Sequence, residues 1–288
     1  MGADVDLGRD AMKLSLAIQT PEVPVPVPVA LLTGSLEDKL AKARDLGADG
    51  VELLTVNPKA LEAPALRRAL DGAGLEVAAI GSGALAFAAG LTLLHSDPQV
   101  AAQAQERLRD LIDLAADLRA PLVTVGSFRG CVASVGTNGR ALLAARLREA
   151  ADYAAARGVR LALEPLNRYE TDIVHTAAEG LAFVDEVGHS ALGLLLDTYH
   201  VNIEERSWTE PFRSLMAAGR LWHVHLGDNN RLHPGGGLID FAAIVATLGE
   251  AGYRGYLSAE LLARPDPDTA ATETMRAMRP LVAPYRGH

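Results

Sequence analysis

The sequence contains one cysteine, few aromatic residues and no long apolar run. Its single cysteine, Cys131, excludes a disulfide framework and a thiolate metal cluster. The longest apolar stretch, Leu75 to Leu94, is interrupted by glycines, so it does not read as one of the ~18-residue segments that cross a membrane. Because 49% of the residues are nevertheless hydrophobic, the chain can bury a large core, and a disordered protein is excluded.

Positive charge is also scarce. The 27 Lys and Arg residues are outnumbered by 36 Asp and Glu residues, which gives a formal net charge of −9. Such a surface repels nucleic acid and anionic lipid, so we expect neither nucleic acid nor a membrane as a partner. Residues 1–11 lack the apolar core of a secretory signal. We expect them to be a disordered lead-in or an expression remnant before a single catalytic domain over residues 12–288, located in the cytoplasm.

Short apolar runs alternate with longer amphipathic ones along the chain. This rhythm predicts eight strands, each followed by a helix, with no composition break that would mark a linker. Strands that alternate with helices pair in parallel, and eight of them favour a single (β/α)8 TIM barrel of the α/β class. The predicted strands are Lys13–Gln19, Gly50–Leu54, Leu75–Gly81, Pro121–Val125, Val159–Leu163, Leu192–Leu196, Leu221–His225 and Gly255–Ala259.

A doubly wound open sheet is the alternative architecture. Its Gly-x-Gly-x-x-Gly phosphate-binding motif does not follow the first strand. That position is occupied by Pro21–Pro28, in which four prolines favour extended geometry. We expect a rigid surface loop here. The alternative is a wall of the substrate mouth, since the loops that follow the strands build the active sites of such barrels.

Polar side chains collect where the fifth to eighth strands end. The four segments are EPLNRYE (164–170), LDTYHVNIEE (196–205), HVHLGDNNR (223–231) and SAE (258–260). The C-terminal ends of the strands in a parallel barrel surround one mouth, so we expect one side chain from each segment to converge there. These four side chains are Glu164, Asp197, His225 and Glu260.

Three carboxylates and an imidazole at one point repel each other unless a cation lies between them. Such ligands suit Mn²⁺, with Co²⁺ or Mg²⁺ as alternatives, whereas structural zinc prefers Cys and His. Each residue alone has a simpler explanation. An acidic residue at a strand end is often a helix N-cap, and His223 is expected to be a core histidine. The prediction of a metal centre therefore depends on the four residues as a set.

These four segments, with the PGGG that follows the third (234–237), resemble the ketose 3-epimerase family. This family belongs to the xylose-isomerase-like barrels and includes the D-tagatose and D-psicose 3-epimerases. The resemblance is close in the second half of the chain and is limited to the strand–helix rhythm in the first half. It implies a metal-dependent isomerase that moves a proton next to the carbonyl of a ketose or related polyol ketone, through a cis-enediolate.

The resemblance also implies a role for each matching residue. The four strand-end residues bind the metal, and two of them, Glu164 and Glu260, act as acid and base on opposite faces of the substrate. A metal that bridges the carbonyl and the adjacent hydroxyl oxygen stabilises the enediolate. Three further positions bind the substrate hydroxyls and the carbonyl end: Glu170, His200 and Arg231.

The sequence departs from the family pattern in the loops after the third and fourth strands. The family carries aromatic residues there that pack on the sugar, whereas this chain has GSGA (81–84) and GSFRG (126–130). We therefore expect a pocket with smaller side chains. Arg129 offers a guanidinium that can anchor a phosphate or carboxylate, assisted by Ser127. The alternative, which we favour, is a surface arginine in a flexible loop and, with it, a neutral substrate.

The leading hypothesis is a ketose epimerase that binds a small sugar or polyol and forms a homo-oligomer, either a dimer or a tetramer. An inosose or sugar-phosphate isomerase, or a lyase or dehydratase, could use the same metal site. An abasic-site endonuclease of the same fold would need a basic groove and a histidine-rich zinc cluster, which the negative net charge disfavours. A non-catalytic binding protein would not need two carboxylates beside a metal.

Overall fold

The computed structural model describes residues 11–286, which contain one closed barrel of eight parallel strands. Each strand pairs with the next along the chain and the last pairs with the first, so the predicted (β/α)8 fold is confirmed. Apart from residue 11, the expected lead-in lies outside the described residues. The strands are β1 (Lys13–Gln19), β2 (Gly50–Leu54), β3 (Glu76–Gly81), β4 (Leu122–Val125), β5 (Arg160–Leu163), β6 (Leu192–Asp197), β7 (Leu221–Leu226) and β8 (Tyr256–Ala259).

Helices surround the barrel. In the described part of the chain they are α1 (Leu36–Asp45), α2 (Ala63–Ala73), α3 (Gly83–Ala89), α4 (Pro98–Leu118), α5 (Gly139–Ala155), α6 (Ala177–Val187), α7 (Thr198–Glu204), α8 (Glu210–Ala217), α9 (Phe241–Glu250) and α10 (Pro267–Val282). The main apolar core combines residues of the strands and the helices, so it lies between these two layers. None of these helices is both long enough and apolar enough to serve as a membrane span.

Local sequence signals fix the starts of several helices. Ser35 begins α1 through a capping box, in which its hydroxyl accepts from the backbone N–H of Asp38 while the Asp38 carboxylate accepts from the backbone N–H of Ser35. Asp97 begins α4 by accepting from the backbone N–H of Gln99, with Pro98 in the first turn. These caps satisfy backbone N–H groups that have no partner within the helix.

Two short helices lie at the barrel mouth where the sequence predicts loops. Helix α3 follows β3 after one residue, and α7 begins directly after β6. Each has 7 residues, which is too short for helical periodicity to distinguish it from a loop. Asp197 ends β6 and also caps α7, because its Oδ1 atom accepts from the backbone N–H of Tyr199 at 2.8 Å.

The proline-rich segment 21–28 packs across the same end of the barrel. Val23 and Val27 are buried and share an apolar cluster with Leu54 of β2 and Ala84 of α3. The backbone N–H of Val27 also donates to Oε1 of Gln19 at 2.8 Å. The segment combines both expectations. Pro24, Val25 and Pro26 are exposed, as in a surface loop, whereas Val23 and Val27 pack against β2 and α3, as in a wall of the mouth.

Candidate active site at the barrel mouth

The four side chains expected to converge lie together at the mouth. They come from the ends of β5, β6, β7 and β8, and they are Glu164, Asp197, His225 and Glu260. Each offers one ligand atom, and the four atoms all lie within 4.8 Å of one another. Parallel pairing brings them together, because the C-terminal ends of all eight strands surround one opening.

Three of these side chains hold a buried polar atom without a hydrogen-bond partner in the described structure. The atoms are Glu164 Oε1, Asp197 Oδ2 and His225 Nδ1. His225 Nδ1 lies 3.6 Å from Glu164 Oε1 and 3.3 Å from Glu260 Oε2. A buried polar atom left unpaired costs about 1–3 kcal/mol, so three in one cluster indicate a binding partner other than a side chain. Three carboxylates and one imidazole fit a divalent cation such as Mn²⁺.

The charges of this cluster act strongly on each other. Burial and the neighbouring Glu164 carboxylate raise the pKa of Asp197 to about 7, and burial also raises the pKa of Glu164. For His225, burial opposes the charged imidazolium, but the charges of Glu52 and Glu260 outweigh it and raise its pKa well above the ordinary value. The side chains alone therefore hold protons, which a divalent cation has to displace in order to bind.

Glu52 of β2 is a buried carboxylate beneath this cluster that was not predicted to belong to the site. It lies between two imidazoles, with His223 Nε2 at 2.9 Å and His225 Nε2 at 3.1 Å from its Oε2 atom. The sequence carried a signal, since Glu52 is the one charged residue in the strand GVELL. His223 is buried, as expected of a core histidine, and its Nε2 atom is hydrogen-bonded to the Glu52 carboxylate.

Glycines at the end of β3 and directly after β4 leave space for the carboxylates. A Cβ atom on Gly126 would lie 2.4 Å from Glu164 Oε2, and a Cβ atom on Gly81 would lie 3.2 Å from Glu52 Oε1. Side-chain carbons essentially never approach oxygen as closely as the first of these distances. These two glycines thus leave room for acidic side chains on the neighbouring strands.

His200 lies on α7 with one ring nitrogen directed towards the cluster. Its Nδ1 atom is 2.8 Å from Nδ2 of Asn167, which can donate to it. Its Nε2 atom has no partner and lies 3.8 Å from Glu164 Oε1 and 3.9 Å from Asp197 Oδ2. Burial, with the nearby charge of Arg231, lowers the pKa of His200 well below its usual range. The ring is therefore neutral and carries one N–H. Because Nδ1 accepts from Asn167, the hydrogen lies on Nε2, which can donate a hydrogen bond.

Arg231 and Glu170 are paired at the edge of the site. Arg231 Nη1 donates to Glu170 Oε1 at 3.1 Å, and its guanidinium carbon lies 5.0 Å from the centre of the Tyr199 ring. The Arg231 backbone has a φ of 60°, a conformation that few residues other than glycine adopt. Its N–H donates to the carbonyl of Asp228 at 2.7 Å, which holds this turn.

The PGGG sequence (234–237) stabilises the same turn. The buried Asp228 carboxylate accepts from the backbone N–H groups of Gly235, Gly237 and Ile239. A Cβ atom on Gly237 would lie 2.4 Å from the Asp228 carboxylate, so only glycine fits there. The resulting loop fixes the backbone from which Arg231 extends.

A cavity of about 200 Å³ lies above the cluster. Its polar side includes Glu164, Glu170, His225, Arg231 and Glu260. The apolar residues that line the cavity form its apolar wall, and they are Val27, Pro28, Val29, Leu54, Ala84, Phe87, Leu166 and Leu262. The expectation of a pocket with smaller side chains did not include Phe87, which the unpredicted helix α3 brings to the cavity.

Arg129 is neither an anion anchor nor a surface arginine, so both interpretations of it are wrong. Its side chain is fully buried. The guanidinium donates to three backbone carbonyls, those of Gly126, Ile173 and Glu164. Burial lowers the pKa of Arg129 to about 10, which leaves it charged at neutral pH. Arg129 therefore fastens the loop after β4 to the backbone of Glu164 and does not line the cavity.

Comparisons with known proteins assign this arrangement to a family. The model of the xylose isomerase-like TIM barrel family matches residues 40–281. An L-ribulose 3-epimerase of Methylomonas sp. (strain DH-1) is 33% identical over 249 residues, which cover 84% of each chain. The chain belongs to the ketose 3-epimerase family of these barrels. A ketose 3-epimerase of Arthrobacter globiformis is 32% identical over 74% of this chain and 73% of that protein.

Solved structures of ketose 3-epimerases share the architecture. The crystal structure of a D-allulose 3-epimerase from Methylomonas sp. in complex with D-allulose matches with a TM-score of 0.74 and 26% identity, over 94% of this chain and 98% of that chain. As a member of the ketose 3-epimerase family, this protein is an isomerase that acts on sugars, which confirms the resemblance seen in the sequence. An AP endonuclease family 2 barrel from Brucella melitensis also has a TM-score of 0.74, but its 21% identity shows the fold alone.

Proposed function

We propose that the protein is a divalent-metal-dependent ketose 3-epimerase that inverts the carbon next to the carbonyl of a free ketose. The observation that carries this proposal is the pair of carboxylates, Glu164 and Glu260, which line one cavity beside the orphaned polar atoms. They come from β5 and β8, which are not neighbours in the barrel. Two acids that reach one cavity from different strands can serve opposite faces of a substrate carbon.

Each residue of the site has a distinct task in this reaction. A divalent cation held by the four strand-end ligands would supply positive charge beside the carbonyl, where negative charge develops. One of Glu164 and Glu260 removes the proton from the substrate carbon, and the other returns a proton to the opposite face of the cis-enediolate. The neutral His200 donates from Nε2 to a substrate oxygen, while Arg231 and Glu170 bind hydroxyl groups.

The cavity favours a neutral sugar over a phosphorylated one. Among the described residues that line it, Arg231 is the only lysine or arginine, and it is already paired with Glu170. Arg129, the other candidate anchor, donates to backbone carbonyls. The apolar wall around Phe87 offers no partner to a phosphate. A volume of about 200 Å³ suits a single monosaccharide unit.

Other reactions on the same ligands receive less support. An inosose or sugar-phosphate isomerase, or a dehydratase, could use the same acids, but no contact in the site favours one of them. An abasic-site endonuclease would need a basic groove, and the formal net charge of this chain is −9. Mn²⁺ is the proposed metal, with Co²⁺ or Mg²⁺ as alternatives, because the ligand set is three carboxylates and one imidazole.

A substrate screen with the Mn²⁺-loaded protein tests this proposal. D-psicose, D-tagatose, D-fructose and L-ribulose would be incubated in D₂O beside an inosose and fructose 6-phosphate, with NMR of the carbon next to the carbonyl. We expect inversion and deuterium incorporation at C3 of at least one free ketose, and little change in the phosphate ester. Turnover of the phosphate or the inosose with no exchange in any free ketose would overturn the proposal.

A further inference from the structure

The buried Glu52 carboxylate contacts two histidines and no other polar side chain in the described structure. His223 Nε2 lies 2.9 Å from Oε2, and His225 Nε2 lies 3.2 Å from Oε1 and 3.1 Å from Oε2. Neither Glu52 nor His223 has an orphaned polar atom. A buried carboxylate is costly unless donors satisfy it, and two imidazole N–H groups do so here.

The barrel directs Glu52 towards these histidines in two ways. The pairing of β2 with β3 shifts register between Val51 and Glu52, and such irregularities turn a side chain relative to a regular strand. Gly81 on β3 provides the space, because a Cβ atom there would lie 3.2 Å from Glu52 Oε1 and 2.5 Å from a methyl group of Leu54. The position of this carboxylate is thus built into the two strands.

The contact with Glu52 determines which nitrogen of His225 is available. A neutral imidazole carries one N–H, and a carboxylate beside Nε2 places that hydrogen on Nε2. The lone pair then lies on Nδ1, which is the orphaned atom 3.3 Å from Glu260 Oε2 and 3.6 Å from Glu164 Oε1. The opposite tautomer would direct an N–H at the place where a cation has to bind.

We propose that Glu52 is the positioning residue of the metal centre. It holds His225 in the tautomer and ring orientation that bind the cation, and His223 fixes Glu52 from the other side. This inference rests on the proposed metal-dependent function and assigns a role to a residue outside the set of ligands. A carboxylate behind a ligating histidine typically contributes about 10- to 100-fold to metal affinity.

The same three residues could instead hold a second metal ion, since their ligand atoms also lie within 4.8 Å of one another. The hydrogen bonds argue for positioning. Glu52 and both Nε2 atoms satisfy one another without an ion, whereas the upper cluster leaves Glu164 Oε1, Asp197 Oδ2 and His225 Nδ1 unpaired. We therefore expect one Mn²⁺ per chain.

Calorimetric titration of the full-length, metal-free protein with Mn²⁺ tests the role. Glu52→Gln should weaken the Kd for Mn²⁺ by about 10- to 100-fold while the stoichiometry stays at one. Asp110→Asn is the matched control, since Asp110 is a buried carboxylate on α4 that binds Lys59 and Arg107 and neither lines the cavity nor belongs to the cluster. This control should leave the Kd unchanged even if it lowers stability.

A second measurement distinguishes a positioning role of Glu52 from a general loss of structure in the variant. Under a positioning role, saturating Mn²⁺ restores most of the kcat of Glu52→Gln, because the defect lies in metal binding. If Glu52→Gln does not fold, Glu52→Asp, which keeps the charge and shortens its reach, is titrated in its place. An unchanged Kd in the folded variant, or two Mn²⁺ ions in the wild type, would overturn the inference. Failure of the wild type itself to bind Mn²⁺ would instead contradict the proposed function.

Discussion

The ends of β5 to β8 and the ends of β1 to β4 meet at one mouth, but they carry different chemistry. The ends of β5 to β8 supply all four predicted ligands together with His200 and Arg231. The ends of β1 to β4 supply glycines and most of the apolar wall, including Val27, Leu54 and Phe87. Glu52 brings a carboxylate from the first half to the site, beneath the cluster, through histidines of β7.

Under the proposed function, this division separates the reaction from substrate selection. A substitution at the ends of β5 to β8 would remove an acid, a base or a metal ligand, so kcat should fall. Removing a group from the apolar wall alters how the sugar fits, and its main effect should be on KM. Arg129 joins the two regions, because it lies in the loop after β4 and holds the backbone of Glu164.

The largest effect should follow removal of the metal, because all four proposed ligands at the ends of β5 to β8 then lose their common partner. Chelation and dialysis should reduce epimerisation to background, because no cation then stabilises the negative charge that develops on the substrate oxygens. Added Mn²⁺ or Co²⁺ should restore the rate. The measurement is turnover against metal content by atomic absorption, and full activity in verified metal-free protein would contradict the site assignment.

The next largest effect should follow from neutralising either of the two proposed catalytic acids. Glu164→Gln and Glu260→Gln should each lower kcat by at least the ~10²–10⁴-fold that general acid–base catalysis contributes. Since both residues also touch the metal, the Mn²⁺ content of each variant has to be measured alongside kcat. A variant that retains Mn²⁺ and the full rate would remove that residue from the chemistry.

Replacing Arg129 should lower both stability and kcat. Arg129→Met leaves buried carbonyls without a donor, at about 1–3 kcal/mol each in the free energy of unfolding, and it releases the backbone of Glu164. Arg140→Met is the control, because the Arg140–Glu186 pair is exposed and worth about 1 kcal/mol or less. Urea unfolding and kcat measure both effects. A selective rise in KM for anionic substrates, with stability unchanged, would restore the role of Arg129 as an anchor.

A change in the apolar wall should be milder. Phe87→Ala removes an aromatic side chain that is 57% exposed at the cavity, so kcat/KM should fall about tenfold or less, mostly through KM. Tyr169→Ala serves as the control, since Tyr169 is 81% exposed and does not line the cavity. A loss of kcat in Phe87→Ala as large as that of the acid variants would break the division between the two halves.

The smallest predicted effect is a pH dependence of stability in the metal-free protein. Burial raises the pKa of Asp197 to about 7 from 3.8, and the charges of Glu52 and Glu260 raise that of His225. Above about pH 6.5 the neutral His200 and His223 no longer differ from the unfolded chain. The folded cluster still holds protons there that the unfolded chain has released, so stability should fall as the pH rises from about 6.5 to 8. The gain in Tm on adding Mn²⁺ should be larger at pH 8, where fewer protons have to be displaced. An equal gain at both ends of this range would contradict the coupling.

The sequence predicts the convergence of the four proposed ligands well, because their position depends on strand order alone. A run such as Leu196-Asp197 ends an apolar strand, and barrel closure then determines its neighbours. The direction of a long side chain depends on packing between distant loops, so the inward turn of Arg129 could not be predicted. Glu52 carried a readable signal, but its histidine partners lie far along the chain. The expected homo-oligomer and the cytoplasmic location stay predictions.

Exchange in D₂O with each single-acid variant tests the central claim, that Glu164 and Glu260 serve opposite faces of the substrate carbon. Both epimers of an accepted ketose would be incubated separately with Mn²⁺-loaded Glu164→Gln and Glu260→Gln, and C3 deuterium followed by NMR. We predict that each variant exchanges the C3 proton of one epimer without inverting it, and that the two variants prefer opposite epimers. Exchange of the same epimer by both variants, or full inversion by either, would contradict the claim.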